Sequence, residues 1–425
     1  MKLNYRRTFF IGLAFLSISA FWQIYDSLIP LILKHTFNIG DTLAGGIMAI
    51  DNVLALFMLP VFGALSDKVQ TPIGRRMPFI IGGTAAAVLF MILIPISDNL
   101  VNLPMFIMVL FLTLIAMSTY RSPAVALMPD VTPKPLRSKA NGVINLMGAV
   151  GAIISLLLMS ALIPDTGKPN YLPIFAIVAG LMVTAVVVLV LTIKENRLRE
   201  EMESLGGHEN EDVDSLSDDQ PLPYAVQRSL FFILLSVFFW FMAYNAVTTA
   251  FSKYAQGVLG MVGGGFANSL LLATAAAVVT FIPSGLLATR IGRKRTILIG
   301  IAFLFFSFAI AAMFTSYSPF INVLLVTIGV GWALINVNSY PMVVEMARGS
   351  DVGKFTGYYY TFSMAGQIIT PVLSGALLEY VSYWTLFPYA AFFSALAFVT
   401  MLAVHHGDSR PDAPKDKLEL FDVED

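Results

Sequence analysis

The sequence predicts an all-α membrane protein with twelve transmembrane helices in two pseudo-symmetric six-helix bundles. Three observations carry that prediction. The first is composition: of 425 residues, 57% are hydrophobic and only 12% are charged, against about 25% charged in an ordinary soluble chain. The second is spacing. Twelve apolar segments can be marked, most of them about 20 residues or longer, enough to cross roughly 30 Å of hydrocarbon. The third is repetition. The charged stretch GALSDKVQTPIGRRMPFI, Gly63 to Ile80, lies between two apolar runs, and a shortened echo, GLLATRIGRKR, begins 222 residues later at Gly285. Asp130, Lys139 and Gly142 stand 215 residues before Glu345, Lys354 and Gly357. Two matches at nearly one offset indicate a parallel repeat of about six helices per half.

The apolar segments fall near 9–34, 43–66, 78–97, 104–128, 140–163, 171–193, 229–254, 264–289, 296–316, 319–344, 355–378 and 383–405. The first follows Lys2, Arg6 and Arg7, as a signal peptide would. It is too long for one and no small-residue cleavage site follows, so it counts as helix 1. With both termini cytoplasmic, only Lys34, Arg121, Lys168 and Lys253 of the 26 Lys and Arg lie outside cytoplasmic segments, which satisfies the positive-inside rule and an even helix count. The expected domains are a first bundle (1–193), an acidic cytoplasmic linker (194–228), a second bundle (229–406) and a charged tail (407–425). The linker is rich in Glu, Asp and Ser and poor in apolar residues, the composition of a flexible tether. The chain has no cysteine and four scattered histidines, so disulfides, thiolate metal sites and a histidine metal cluster are not expected. No cofactor, metal or nucleic-acid partner is implied. No nucleophile–base pair or inserted catalytic domain suggests an enzyme.

Ionisable groups in hydrocarbon are costly and need a reason. Asp26 in segment 1 and Asp51 in segment 2 each lie roughly 12 Å from the same membrane face at 1.5 Å per residue. Two carboxylates at one depth on consecutive helices hinder each other's ionisation, so the pair could hold a proton or, both ionised, share a sodium ion. Hydrogen bonding for packing alone is the alternative. Arg121 in segment 4 is the other exceptional charge. It either snorkels to the cytoplasmic face or serves inside, pairing with an acid or holding a hydroxyl through its planar fork. Lys253 is expected to snorkel at the outer end of segment 7.

Sugar sites combine hydrogen-bonding groups with aromatic faces, because a pyranose has hydroxyl rims and an apolar CH face. Segment 1 offers Trp22, Gln23 and Asp26, and segment 2 places Asn52 beside Asp51. Segment 7 offers Trp240, Tyr244 and Thr248 on one stripe, with Asn245 beside it. Segment 10 offers Trp332, Asn336 and Tyr340, with Asn338 nearby, and segment 11 offers Tyr360, Ser363 and Gln367. Spacings of three and four put each set on one helix face. An aromatic stripe alone is ordinary packing, but amides in mid-membrane need partners that lipid cannot supply. The charged hairpins have a mechanical reading. Asp67 can accept bonds from Arg75 and Arg76, which in turn can bind carboxylates, helix C-termini or lipid phosphate. With Glu345 at the equivalent mouth of the second half, these residues are candidates for gating. Setting topology by positive charge is the plainer alternative.

These residues resemble a family. The whole chain resembles the major facilitator superfamily, and more narrowly the sucrose and proton-coupled sugar transporters of the glycoside–pentoside–hexuronide group. The resemblance rests on Ser66-Asp67 followed by Gly74-Arg75-Arg76-Met77-Pro78-Phe79-Ile80, where the family reads GRRRPFI. It rests also on SPAVALMPDVTPKPLRSKANGVINLMGAVG, which is similar to the family's helix 4–5 region. Asp130 falls on the family's helix 4 aspartate, which the resemblance associates with proton coupling. The family arginine in that motif falls on Val125, one turn after Arg121, and a family asparagine falls on Ala152. The resemblance implies a monomeric secondary transporter of the cell membrane. It would couple uptake of a sugar, such as a disaccharide or glycoside, to proton entry as two bundles rock around a central site. Its rivals are a proton-driven exporter of drugs or metabolites on the same fold and a non-transporting membrane receptor. The second would normally carry a signalling domain.

Overall fold

The computed structural model describes residues 3–133, 136–205, 223–347 and 352–408. The centre of the expected linker (206–222), most of the expected tail, and Lys134 beside Asp130 lie outside them. Thirteen α-helices occur among the described residues: α1 Tyr5–His35, α2 Asp41–Lys68, α3 Met77–Asn99, α4 Leu103–Asp130, α5 Arg137–Leu162, α6 Leu172–Thr192, α7 Glu195–Leu205, α8 Tyr224–Gly257, α9 Gly265–Ile291, α10 Arg293–Ala311, α11 Pro319–Val344, α12 Val352–Tyr380 and α13 Leu386–Leu402. All but α7 supply a stretch long and apolar enough to cross a membrane, α13 together with the 3-10 turn Tyr383–Thr385 that precedes it. The twelve expected spans are therefore present. The thirteenth helix, α7, is short, carries mixed charge, and lies where the composition suggested only a tether. Its sequence, ENRLREEMESL, is built from strong helix formers, a preference that a reading by polarity alone passes over.

Helix starts follow local chemistry. Asn4 and Asn102 accept the amides of Arg7 and Met105 at 3.1 and 3.0 Å, capping α1 and α4, and Ser318 accepts Phe320 N at the start of α11. Proline occupies the first turn of α3, α4, α6 and α11, where a missing N–H costs nothing.

The chain divides into two compact units. Unit 1 comprises Met1–Ile39, Ile50–His208 and Met261–Leu271; unit 2 comprises Gly40–Ala49, Glu209–Gly260 and Leu272–Asp425. Each has the same internal plan. In unit 1, α1 packs on α5 and α6, and α3 packs on α4 and α6; in unit 2, α8 packs on α12 and α13, and α10 packs on α11 and α13. The repeat reaches single contacts. A Cβ on Gly151 would lie 2.0 Å from the Leu16 carbonyl, and one on Gly366, its equivalent 215 residues on, 2.9 Å from the Phe238 carbonyl. One turn along, Ser155 donates to Ala20 O at 2.8 Å, and its equivalent Thr370 to Met242 O at 3.5 Å. Both helix pairs approach closely because a glycine removes the side chain and a hydroxyl bonds the facing carbonyl. The outer ends of α2 and α9 depart from a simple division at mid-chain. The first nine residues of α2 belong to unit 2, and the first seven of α9 to unit 1. Lys253 does not snorkel: it is 6% exposed and donates to Asp41 Oδ1 at 2.6 Å. A buried carboxylate within reach gives the ammonium a better partner than interfacial water.

Candidate functional site

The polar residues at membrane depth in unit 1 converge. On α1, Phe21, Ile24, Tyr25 and Leu28 are buried in packing, whereas Trp22, Gln23 and Asp26 keep part of their surface open. Gln23 donates to Ser27 at 3.2 Å. On α2, Asp51 Oδ1 accepts both the backbone N–H of Asn52 at 2.6 Å and its side-chain amide at 2.8 Å. Arg121 of α4 stands 6.0 Å from the centroid of the Trp22 ring, the limit of a cation–π contact. Asp51 feels the charge of Arg121, Asp26 feels that of Asp51, and the buried Tyr25 phenol feels both acids. Trp22 Nε1 is buried without a hydrogen-bond partner. Trp22, Asp26, Asp51, Asn52 and Arg121 thus form one cluster. Sequence reasoning missed Tyr25, which reads as one more aromatic residue on a packed helix face.

Unit 2 holds a neutral counterpart. The rings of Tyr244 and Trp332 stack at 3.8 Å with 7° between planes, and Phe241 meets Trp332 edge-on at 5.3 Å. Asn245 Oδ1 is buried and unbonded. The Tyr340 hydroxyl lies 2.9 Å from Thr356 Oγ1, and the Tyr360 ring lies 6.4 Å from that of Tyr340. Asn336 and Gln367 stay partly open, Gln367 donating to Ser363 O at 3.5 Å. Trp240 and Asn338 do not join this set. Trp240 is 1% exposed, and the Asn338 amide is satisfied by Ser284 at 3.0 Å and Leu334 O at 2.9 Å. By the repeat offsets, Trp22, Gln23 and Asp26 correspond to Tyr244, Asn245 and Thr248; Asp51 corresponds to Ala273, and Arg121 to Asn336. The two sets occupy equivalent positions, and every charge is in unit 1.

A second constellation sits at the end of the helices that faces the termini. Arg76 donates through Nε to Asp130 at 2.9 Å, through Nη1 to Ser66 at 2.5 Å and the Gly63 carbonyl at 3.2 Å, and through Nη2 to Asp67. Arg75 reaches the two oxygens of Asp130 at 2.7 and 3.2 Å. Partial burial opposes the Arg75 charge, but the bonded Asp130 and the nearby Asp67 and Glu195 outweigh it and raise its pKa above the ordinary arginine value. Asp130 therefore binds the same two arginines as Asp67. Sequence reasoning missed Glu195. It is 1% exposed and accepts the backbone amides of Arg75, Arg76 and Met77 at 2.9–3.1 Å, closing the N-terminus of α3. Gly74 makes room for it: its φ is +127°, and a Cβ there would lie 2.0 Å from Glu195. Unit 2 repeats the plan with fewer parts. Arg293 pairs with Glu345, Asp408 accepts Lys294 N at 2.8 Å, and Gly292 has φ +92° beneath Asp408. Thr289 stands where unit 1 has Asp67.

Twelve membrane-length helices in two repeated units, with ionisable residues clustered at membrane depth, define a polytopic membrane carrier. The chain belongs to the Major Facilitator Superfamily, whose model matches residues 11–340 and 265–421. Among solved structures, it is similar to a mutant of the nucleoside transporter NupG (15% identity, 94% of this chain and 100% of that one, TM-score 0.69). It is similar also to FucP in its outward conformation (14%, 95% and 100%, 0.57) and to the POT family transporter PepTSo (12%, 95% and 97%, 0.68). At these identities the likeness is one of fold. No curated protein sequence matches. The chain is an integral membrane transporter of small molecules and not an enzyme.

Proposed function

We propose that this transporter is a sugar:proton symporter working by alternating access, with a disaccharide or glycoside as cargo. The observation that carries this reading is the segregation of charge between equivalent positions. Unit 1 holds Asp26, Asp51 and Arg121 where unit 2 holds Thr248, Ala273 and Asn336. Protons need carboxylates whose neighbours change with the cycle, and the acid pair supplies them. A sugar needs neutral hydrogen-bonding groups and flat apolar faces, and Asn245, Asn336, Gln367, Tyr244 and Trp332 supply those. Asp67, Arg75, Arg76 and Asp130 act as a clamp that must loosen and re-form as the transporter changes state, with Arg293 and Glu345 as its lighter counterpart. In this reading coupling rests first on Asp26 and Asp51, and Asp130 can exchange a proton only when the clamp opens. Both termini face the cytoplasm of the cell.

The test is uptake by proteoliposomes under an imposed pH gradient, screened against mono- and disaccharides. Accumulation of at least one sugar that collapses with a protonophore is expected. Accumulation driven only by a sodium gradient would keep the acids and change the ion. Extrusion of apolar compounds without any sugar uptake would overturn the reading in favour of an exporter.

A further inference from the structure

An open cavity lies between the α2–α3 loop and α7, within unit 1 and apart from the residues at membrane depth. It has a volume of about 490 Å³, and its lining includes Gln70, Thr71, Arg75, Asn196, Arg199 and Glu200. Its walls are fixed by short bonds. Asn196 donates to the carbonyls of Thr71 and Pro72 at 2.9 and 3.1 Å, Thr71 Oγ1 donates to Gly74 O at 2.5 Å, and Glu195 holds the amides of Arg75 and Arg76. Gln70, Pro72 and Glu200 are exposed, so solvent reaches the space.

The repeat shows what the longer loop adds. In unit 2 one residue, Gly292, joins α9 to α10, whereas residues 69–76 join α2 to α3. The Arg293–Glu345 pair and the Asp408 cap form on that minimal turn. A clamp and a cap therefore do not require Gln70, Thr71 and Pro72, which line the cavity instead.

The lining has a definite chemistry. Two guanidiniums and one carboxylate face the space, a positive balance in which planar forks can hold an anion. The volume falls in the range of about 300–1,000 Å³ that suits small organic ligands. At roughly 30 Å³ per water, a bare phosphate would leave most of it empty, with Glu200 and Gln70 unused. Glu200 accepts hydroxyl protons, and Gln70 both donates and accepts.

We propose that this cavity binds a small phosphate monoester that carries hydroxyl groups, of the size of a hexose phosphate. Its phosphate meets Arg75 and Arg199, and its hydroxyls meet Glu200 and Gln70. Arg75 also gives one fork to Asp130 at 2.7 and 3.2 Å and has Asp67 3.8 Å from Nη1. A further anion competes with both acids for one guanidinium. Filling the cavity therefore weakens the clamp, and by reciprocity loss of Asp130 strengthens binding. The link to gating rests on the clamp reading above; the site itself does not.

Titration calorimetry on the full-length protein in phosphatidylcholine nanodiscs, in phosphate-free buffer, tests the site with glucose 6-phosphate. Saturable binding is expected, undisplaced by glucose and about threefold or more tighter than that of inorganic phosphate. Arg199→Gln should weaken it roughly tenfold or more, as for a lost charge-assisted contact. Glu200→Gln should narrow the preference over inorganic phosphate about threefold, as for one hydrogen bond; an equal gain in affinity for both anions would overturn hydroxyl recognition. Asp130→Asn should tighten binding about threefold, and an unchanged affinity there would overturn the link to the clamp. No saturable binding, displacement by glucose, or binding that Arg199→Gln leaves intact would overturn the site. Displacement by phosphatidylglycerol added to the disc would assign the arginines to a lipid headgroup and overturn it equally. If Arg199→Gln fails to fold, the exposed Glu200→Gln decides. None of these readouts needs transport, so they stand or fail independently of the sugar and the proton.

Discussion

In the proposed function, single side chains divide the labour between proton and cargo. Asp26→Asn and Asp51→Asn are each expected to lower pH-gradient-driven accumulation by about tenfold or more, because a neutral amide cannot release a proton into either compartment. Substrate exchange at equal pH on both sides should persist. Full accumulation by both variants would remove the acids from coupling. Tyr244→Ala or Trp332→Ala should weaken sugar binding by roughly fivefold to tenfold, the worth of one aromatic face at about 1 kcal/mol, and leave the pH profile unmoved; titration calorimetry reads both. The sequence singled out candidate residues here because charge and amides are conspicuous in an apolar chain. It could not separate Asn336 from Asn338, two residues apart on one helix. Asn338 finds Ser284 and a carbonyl in the packed interior, and burial at that resolution depends on the neighbouring helix, which spacing does not reveal. The fate of Lys253 was hidden for the same reason: its partner, Asp41, is 212 residues away.

At the scale of an element, a helix end and its cap act together. Glu195 serves three amides of the α3 N-terminus, whereas Asp408 serves the Lys294 amide in α10. Glu195→Gln should therefore lower thermal stability more than Asp408→Asn, by about 1–2 kcal/mol for weakened charge-assisted bonds. Gly74→Ala should be worse than either, since the added Cβ meets both a left-handed backbone and the carboxylate itself. Melting curves in detergent would rank the three; an unchanged Glu195→Gln protein would show the cap to be idle. All twelve spans were legible from apolar length alone, because the bilayer demands one kind of element of nearly one length. Helix α7 was not: it crosses nothing, and its helical character lies in propensity and in Asn196, whose amide bonds the carbonyls of Thr71 and Pro72.

For the whole molecule, duplication was readable from two short matches, and the structure extends it to paired contacts such as Gly151 and Gly366. The copies have nonetheless diverged, and the unit 1 clamp has more members than that of unit 2. Asp130→Asn, which strips a partner from two arginines, should slow transport more than Glu345→Gln, and both should leave equilibrium sugar affinity within about twofold because neither touches the cargo. Stopped-flow transport beside equilibrium binding tests this, and a reversed order would mean that the heavier clamp is not the one that limits the cycle. The position of Glu195 also bears on how the protein is made. The ribosome releases α2 and α3 long before it reaches residue 195, so the loop between them leaves the exit tunnel with three bare amides. They stay bare until the sixth span has been threaded into the bilayer. Asp408 imposes the same delay on the second copy. Each half is thus sealed by one of the last residues of its own stretch to be synthesised, and a chain truncated at 193 and released into the bilayer should be far more open to protease at Gly74 than one truncated at 205 and released.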